Sequence, residues 1–196
     1  MLLENPPSRS IDAKGVFMTA DIEQIESQVV YRNRWMTVRE DVIRRADGSP
    51  GVYGVVEKSD FAVIAAVQDQ HVFLVEQYRY PVGARHWELP QGSWESAGSD
   101  PAALARAELL EETGVSAETM DHVGRLFLGY GFCTQAYDVF LAGGLTIGDP
   151  QREPEEADLV SRRFSLAEVR AMICSGEIVD ATTVATLGLL GLKGLL

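Results

Sequence analysis

Three glutamates carry the strongest chemical signal in the chain. Glu108, Glu111 and Glu112 stand at i, i+3 and i+4 within the segment AALARAELLEETG. On a helix this spacing brings side chains to one side, about one turn apart. Carboxylates that close repel one another unless positive charge lies among them. Hard divalent cations with oxygen ligands, Mg²⁺ or Mn²⁺, suit such a cluster. A solvated acidic helix face is the other reading, because Glu is a common helix residue. The spacing alone leaves both open.

Other metal chemistry finds little support. Cys133 and Cys174 are far apart and in no ligand spacing, as expected of two free thiols. The three histidines, His71, His86 and His122, include no pair at helical ligand spacing, which argues against zinc. The formal net charge of −12 excludes nucleic acid as the expected partner, since no basic surface is available for phosphate contacts. A diphosphate ligand would need local neutralisation by metal ions or a few placed arginines. With 46% apolar and 23% charged residues, the composition is globular. No apolar run reaches the ~18 residues of a membrane span. The first residues, MLLENPPSRSIDAKG, lack a basic start followed by an apolar stretch. A cytoplasmic, reducing compartment is the expectation.

The elements that must position the glutamates follow from patterning. Residues 1 to about 22 are polar and read as a loose arm. SQVVYRN, WMTVREDVIRR and VYGVVEK surround an Asp-Gly turn and predict a hairpin at roughly 36 to 58. FAVIAAVQ and HVFLVEQY, joined by Asp69-Gln70, predict a second hairpin. Tyr78 to Ser99 reads as a long irregular stretch, a frequent setting for function. A helix then follows, with Asp100 as N-cap, Pro101 at its first position and Gly114 just past its end. Ala103, Ala107, Leu110 and Gly114 form a stripe expected to pack on a sheet. Strands are expected near 122 to 129 and 136 to 142, and again in LVSRRF. Ser165 caps a helix over LAEVRAMICSG, and the chain ends in the mostly apolar TTVATLGLLGLKGLL. The order of elements is α+β.

With these elements placed, ELPQG and AELLEETGV together resemble the signature box of the Nudix hydrolase family. Glu108, Leu109, Glu111, Glu112, Gly114 and Val115 fall on the box positions. The resemblance implies an α/β/α sandwich with a mixed central sheet, preceded by a small N-terminal β subdomain. It divides the chain into an arm at 1–22, a dimerising β subdomain at 23–58 and the hydrolase domain at 59–196. It also implies metal ligation by Glu108, Glu111, Glu112 and the backbone carbonyl of Gln91, with Mg²⁺ as cofactor and Mn²⁺ as an alternative. The box carries one extra residue between Gly92 and Ala107. Once that is absorbed, Ser99 stands where the box has its first Glu, and Ala107 where it has an Arg that orients a glutamate. Arg106 is one residue away, about 100° round a helix, and points elsewhere.

The flanking segments resemble the ADP-ribose pyrophosphatase branch, in EQYRYPVGARHWELPQG before the box and SGEIVDATTVATLGLL at the C-terminal end. That likeness implies a homodimer acting on a nucleoside-diphosphate compound, ADP-ribose or a nucleotide sugar. Arg79 is the first candidate for a substrate contact, because a planar charged fork matches diphosphate oxygens, and a structural salt bridge is its other reading. Arg85 and His86 are further candidates. Glu88 either faces the ligand or stitches its loop together. Tyr130 stands where the branch carries a proline, and either stacks on a base or packs within the loop. The implied mechanism is metal-assisted attack of water on one phosphorus, with Glu111 and Glu112 in the catalytic cluster. Its general base comes from REPEEAD, with Glu155 or Glu156 favoured over Glu153. The altered box leaves a non-catalytic, nucleotide-binding sensor as the alternative, and a purely structural module as a third.

Overall fold

The structure, a computed structural model, describes residues 21–93, 100–150 and 158–196. It divides into two compact units, Met1–Glu57 and Lys58–Leu196. Most of the expected arm at 1–22, together with Ser99, Glu153, Glu155 and Glu156, lies outside the described residues.

The first unit is a three-stranded antiparallel sheet in the order β1 (Ile22–Arg32), β2 (Thr37–Arg45), β3 (Pro50–Glu57). The β2–β3 hairpin is the one the Asp-Gly turn predicts. Gly48 sits at φ +82°, a left-handed conformation that costs glycine little. Asp47 accepts from Ser49 N at 2.9 Å to close the turn. The first strand starts five residues before SQVVYRN. Polar residues such as Glu23, Gln24 and Glu26 hid its opening, and its whole length is exposed.

In the second unit a mixed sheet has the path β10 (Val160–Ser165), β5 (His71–Arg79), β4 (Phe61–Gln68), β9 (Ala136–Ile147), β8 (Val115–Phe127). Strands β4 and β9 run parallel and the other pairs are antiparallel. Two short strands, β6 (Ala84–Glu88) and β7 (Gln91–Gly92), pair with β5 and β4 respectively. The β4–β5 turn holds Asp69 and Gln70 at φ +53° and +59°, the doubly left-handed geometry whose twist suits a two-residue hairpin.

Both faces of this sheet are covered, so its central strands are apolar on both sides. On β4, Ala62, Ile64 and Ala66 face one core with Leu104, Ala105 and Leu109 of α1 (Pro101–Thr113). Val63 and Ala65 face the other core, with Val169 and Met172 of α2 (Leu166–Ser175) and Leu190 of α3 (Ala181–Leu192). A mixed sheet between helices, preceded by a small β unit, is the fold the sequence leads one to expect. Ser165 caps α2 in a full capping box with Glu168. Asp100 caps α1 by accepting from Ala102 N, and Gly114 ends it at φ +73°.

Three local expectations are corrected. The stretch from Tyr78 is not wholly irregular. A 3₁₀ turn at Tyr80–Val82 and Gly83 at φ +65° fold it into the β5–β6 hairpin. Strands β8 and β9 exceed the expected 122 to 129 and 136 to 142. The extra turns of β8, such as Ser116, Glu118 and Thr119, are solvent-facing and lack an apolar rhythm. Finally, α1 does not pack through Ala103 and Ala107, which are exposed. It packs through Leu104, Ala105 and Leu109, with Glu112 and Thr113 on the same buried side. Charge on the sheet-facing side blurs the apolar stripe from which orientation is read.

Candidate active site

The box segments are joined by β7. Strand β7 lies on β4, with Gln91 opposite Val63 and Gly92 opposite Ala62. Helix α1 brings two of its glutamates onto this short strand. Glu112, 1% exposed, accepts a hydrogen bond from Gln91 N at 3.2 Å. The carboxylate of Glu108 lies directly over Gly92, and a Cβ there would overlap its carbon and both oxygens. Gly92 is therefore required for close approach. Glu111, one residue round the helix from Glu112, is half-buried.

Ala107, exposed on α1, has no side chain with which to pair. Arg106 points elsewhere, as its rotation predicts, donating to Ala117 O at 2.6 Å and Glu118 O at 3.4 Å on β8. The backbone of β7 thus provides the support that the box Arg does not.

Beside β7 opens a cleft of about 470 Å³ within the second unit. Arg79, His86, Glu88, Gln91, Gly92 and Asp180 contribute to its lining. The β5–β6 hairpin supplies Arg79 and Glu88 to its charged wall, beside Lys58 and Asp180. Glu88 is 3% exposed and accepts from Gln77 Nε2 at 2.8 Å, from Arg79 Nε at 3.2 Å and from Arg79 Nη2. Burial pushes the Glu88 carboxyl above the usual carboxylate range, and the attraction of Arg79 offsets this only in part. Arg79 makes the salt bridge of its second reading and also lines the cleft. One edge of its fork is committed to Glu88.

Arg85 is placed differently. It donates to Glu76 Oε2 at 3.1 Å, Asp158 Oδ2 at 2.7 Å and the backbone carbonyls of both residues. Its guanidinium stitches β6 to the segment before β10. Tyr130 is 85% exposed and is not part of the cleft wall.

The sequence reading missed Asp180 in the wall and Thr183 buried behind it. Asp180 lines the cleft and caps α3, accepting from Thr183 N at 2.8 Å and Thr183 Oγ1 at 2.7 Å. Thr183 is fully buried, and its hydroxyl accepts from Leu89 N at 2.8 Å. An Asp followed three residues later by Thr ahead of an apolar run is a helix-start signal that reveals the cap. Nothing local reveals the bond to Leu89.

Comparison with known proteins agrees with this arrangement. Residues 58–182 match the NUDIX domain, and residues 22–56 match the nucleoside diphosphate sugar hydrolase N-terminal domain. The chain is 34% identical over 167 residues to an ADP-ribose pyrophosphatase of Mycobacterium tuberculosis (strain ATCC 25618 / H37Rv), covering 84% of this chain and 81% of that protein. The chain belongs to the Nudix family. An ADP-ribose pyrophosphatase of Bacillus subtilis (strain 168) is 31% identical, over 67% of this chain and 71% of that one. The crystal structure of an ADP compounds hydrolase shares the fold, with a TM-score of 0.78 at 20% identity over 96% of this chain and 100% of the other. As a Nudix pyrophosphohydrolase, the protein belongs to a family that uses divalent metal ions.

The residues present fit such an ion on their own chemistry. Among the described residues no group of three or more His, Cys, Asp or Glu side chains is placed to hold a metal. Mg²⁺, however, is commonly held by one or two carboxylates, keeping waters and taking substrate phosphates as its other ligands. Glu108 and Glu112, both laid against β7, supply that pair. A carboxylate as buried as Glu112 also favours a cation beside it.

Proposed function

We propose that this Nudix enzyme hydrolyses the diphosphate bond of a nucleoside diphosphate linked to a second moiety, ADP-ribose or a nucleotide sugar, with Mg²⁺ as cofactor. The observation that carries this reading is the convergence of Glu108 and Glu112 on Gln91–Gly92, at the edge of a cleft lined by Arg79. The names of the two pyrophosphatase relatives and the description of the matched N-terminal domain support the substrate class.

Glu108 and Glu112 would hold the metal directly, and Glu111 and the Gln91 carbonyl would assist, through water where they do not reach it. When bound, the ion offsets diphosphate charge and acidifies water. Arg79 binds a phosphate oxygen through the part of its fork that Glu88 does not occupy. The proton of the attacking water goes to Glu155 or Glu156. The resemblance of REPEEAD to the branch's acidic loop supports this assignment, and two contacts hold the described residues on either side of that segment. Gly148 N donates to Gly114 O at 2.8 Å past the end of α1, and Arg85 holds Asp158.

A second copy of the chain covers the exposed apolar residues of the first unit, among them Ile25, Val29, Val30, Tyr31 and Val52. Sedimentation of the parent and Val52→Lys tests this, with a dimer expected for the parent and a monomer for the variant. No described helix is long and apolar enough to cross a membrane, and we place the enzyme in the cytoplasm.

The test of function is a panel of ADP-ribose, nucleotide sugars and dinucleoside polyphosphates with Mg²⁺ or Mn²⁺, reading released phosphomonoester. Metal-dependent release from ADP-ribose or a nucleotide sugar is expected. Binding without release from any compound would replace the enzyme reading with that of a sensor.

A further inference from the structure

We infer that Thr183, remote from the carboxylate helix in sequence, is a positioning residue for the metal site, acting through the Leu89–Gln91 backbone. The inference rests on the proposed role of Glu108 and Glu112. Its evidence is a chain of hydrogen bonds. Asp180 Oδ2 accepts from Thr183 Oγ1 at 2.7 Å, and Thr183 Oγ1 accepts from Leu89 N at 2.8 Å. Two residues on, Gln91 N donates to Glu112 Oε2 at 3.2 Å, and Gly92 backs the Glu108 carboxylate.

The hydroxyl is satisfied in both directions, and Asp180 sets its polarity. Asp180 Oδ2 accepts the hydrogen bond that the hydroxyl donates, which leaves the oxygen lone pairs facing Leu89 N–H. Leu89 and Thr183 are both fully buried, so no water can readily replace this bond. Strand β7 is only two residues long and pairs with β4 at only two positions. So short a strand has little register stiffness of its own. Ile64 N donates to Pro90 O at 2.9 Å, and the Leu89 bond adds a second fixed point, on α3, to the segment that carries Gln91 N–H and Gly92 Cα to the two glutamates.

The same helix contains a control. Thr186 is also fully buried, and its Oγ1 has no hydrogen-bond partner among the described residues. Valine has nearly the shape of threonine without the hydroxyl. Thr183→Val therefore removes the anchor, while Thr186→Val removes a hydroxyl that anchors no described residue.

The experiment measures Mn²⁺ binding to the full chain by the electron spin resonance signal of free Mn²⁺, which needs no turnover, alongside hydrolysis at saturating Mg²⁺. Thr183→Val is expected to weaken Mn²⁺ binding about tenfold, at the low end of what loss of an outer partner costs. Thr183→Ser and Thr186→Val are expected to bind as the parent does. Equal Mn²⁺ affinity in Thr183→Val and the parent would overturn the inference while leaving the enzyme reading intact. Failure of the parent to hydrolyse any diphosphate would overturn the reading first and this inference with it. Should Thr183→Val not fold, amide exchange in the parent decides. Slow exchange at Leu89 N–H in the parent and in Thr183→Ser, which keeps the hydroxyl, is expected, and fast exchange at Leu89 in the parent would refute the anchor.

Discussion

Replacing Gly92 with alanine separates folding from metal chemistry. The φ of Gly92 is not positive, so an L residue is tolerated by the backbone. In a strand, Ala is favoured over Gly by about 0.5–1 kcal/mol. Among the described residues, the three atoms nearest the new methyl are the carbon and two oxygens of the Glu108 carboxylate, which it would overlap. That carboxylate is the far end of a flexible side chain, so it swings aside and the fold survives. Restoring van der Waals separation requires a shift of about 1 Å or more, and a misplacement of that size typically costs about 100-fold in rate. A 100-fold loss corresponds to about 2.7 kcal/mol of transition-state stabilisation. The assay is kcat/KM for ADP-ribose across a Mg²⁺ titration, with Tm measured on the same samples. Gly92→Ala is expected to keep or slightly raise Tm and to lose about 100-fold in kcat/KM. Parental activity at every Mg²⁺ concentration would refute the placement of Glu108 as a ligand.

Two further predictions concern the charged wall. Arg79→Ala is expected to raise KM for the diphosphate substrate at least tenfold and to lower stability by about 2 kcal/mol. That figure is below the ~3–5 kcal/mol of a fully buried pair because Arg79 is 41% exposed. Arg85→Ala is expected to leave KM within about twofold, since its donors are spent on Glu76 and Asp158; kinetics and urea unfolding of the two variants check both statements. The raised Glu88 carboxyl sets the sign of a pH effect. In the folded state the proton is held more tightly than in the unfolded chain. The resulting stabilisation is present below the ordinary carboxylate pKa and is lost as pH rises through the raised value. Relative to the parent, Glu88→Gln should gain Tm as pH rises above the ordinary carboxylate range, and a pH-independent difference would contradict the assigned cause.

The sequence exposes different parts of this protein unequally, for physical reasons. Helix α1 is legible at both ends, because Asp100, Pro101 and Gly114 act through local backbone geometry. Its three glutamates are legible because helical spacing converts sequence distance directly into proximity. The buried face of α1 is not, since Glu112 shares it with Leu109. Strands β6 and β7 escape notice because each owes its form to a neighbour, β5 or β4, rather than to its own alternation. Arg85 and Arg79 sit in one short segment and read alike. Only the fold shows that Asp158, 73 residues away, claims the first. Thr183 and Leu89, 94 residues apart, lie beyond any local pattern for the same reason.

Hydrolysis by Glu112→Gln tests the central claim most directly. Gln keeps the volume of a side chain that is 1% exposed and can still accept from Gln91 N, so the fold is preserved while the charge is removed. With ADP-ribose and saturating Mg²⁺, the account predicts a loss of at least about 100-fold in kcat with Tm close to the parent. Hydrolysis at the parental rate would contradict it.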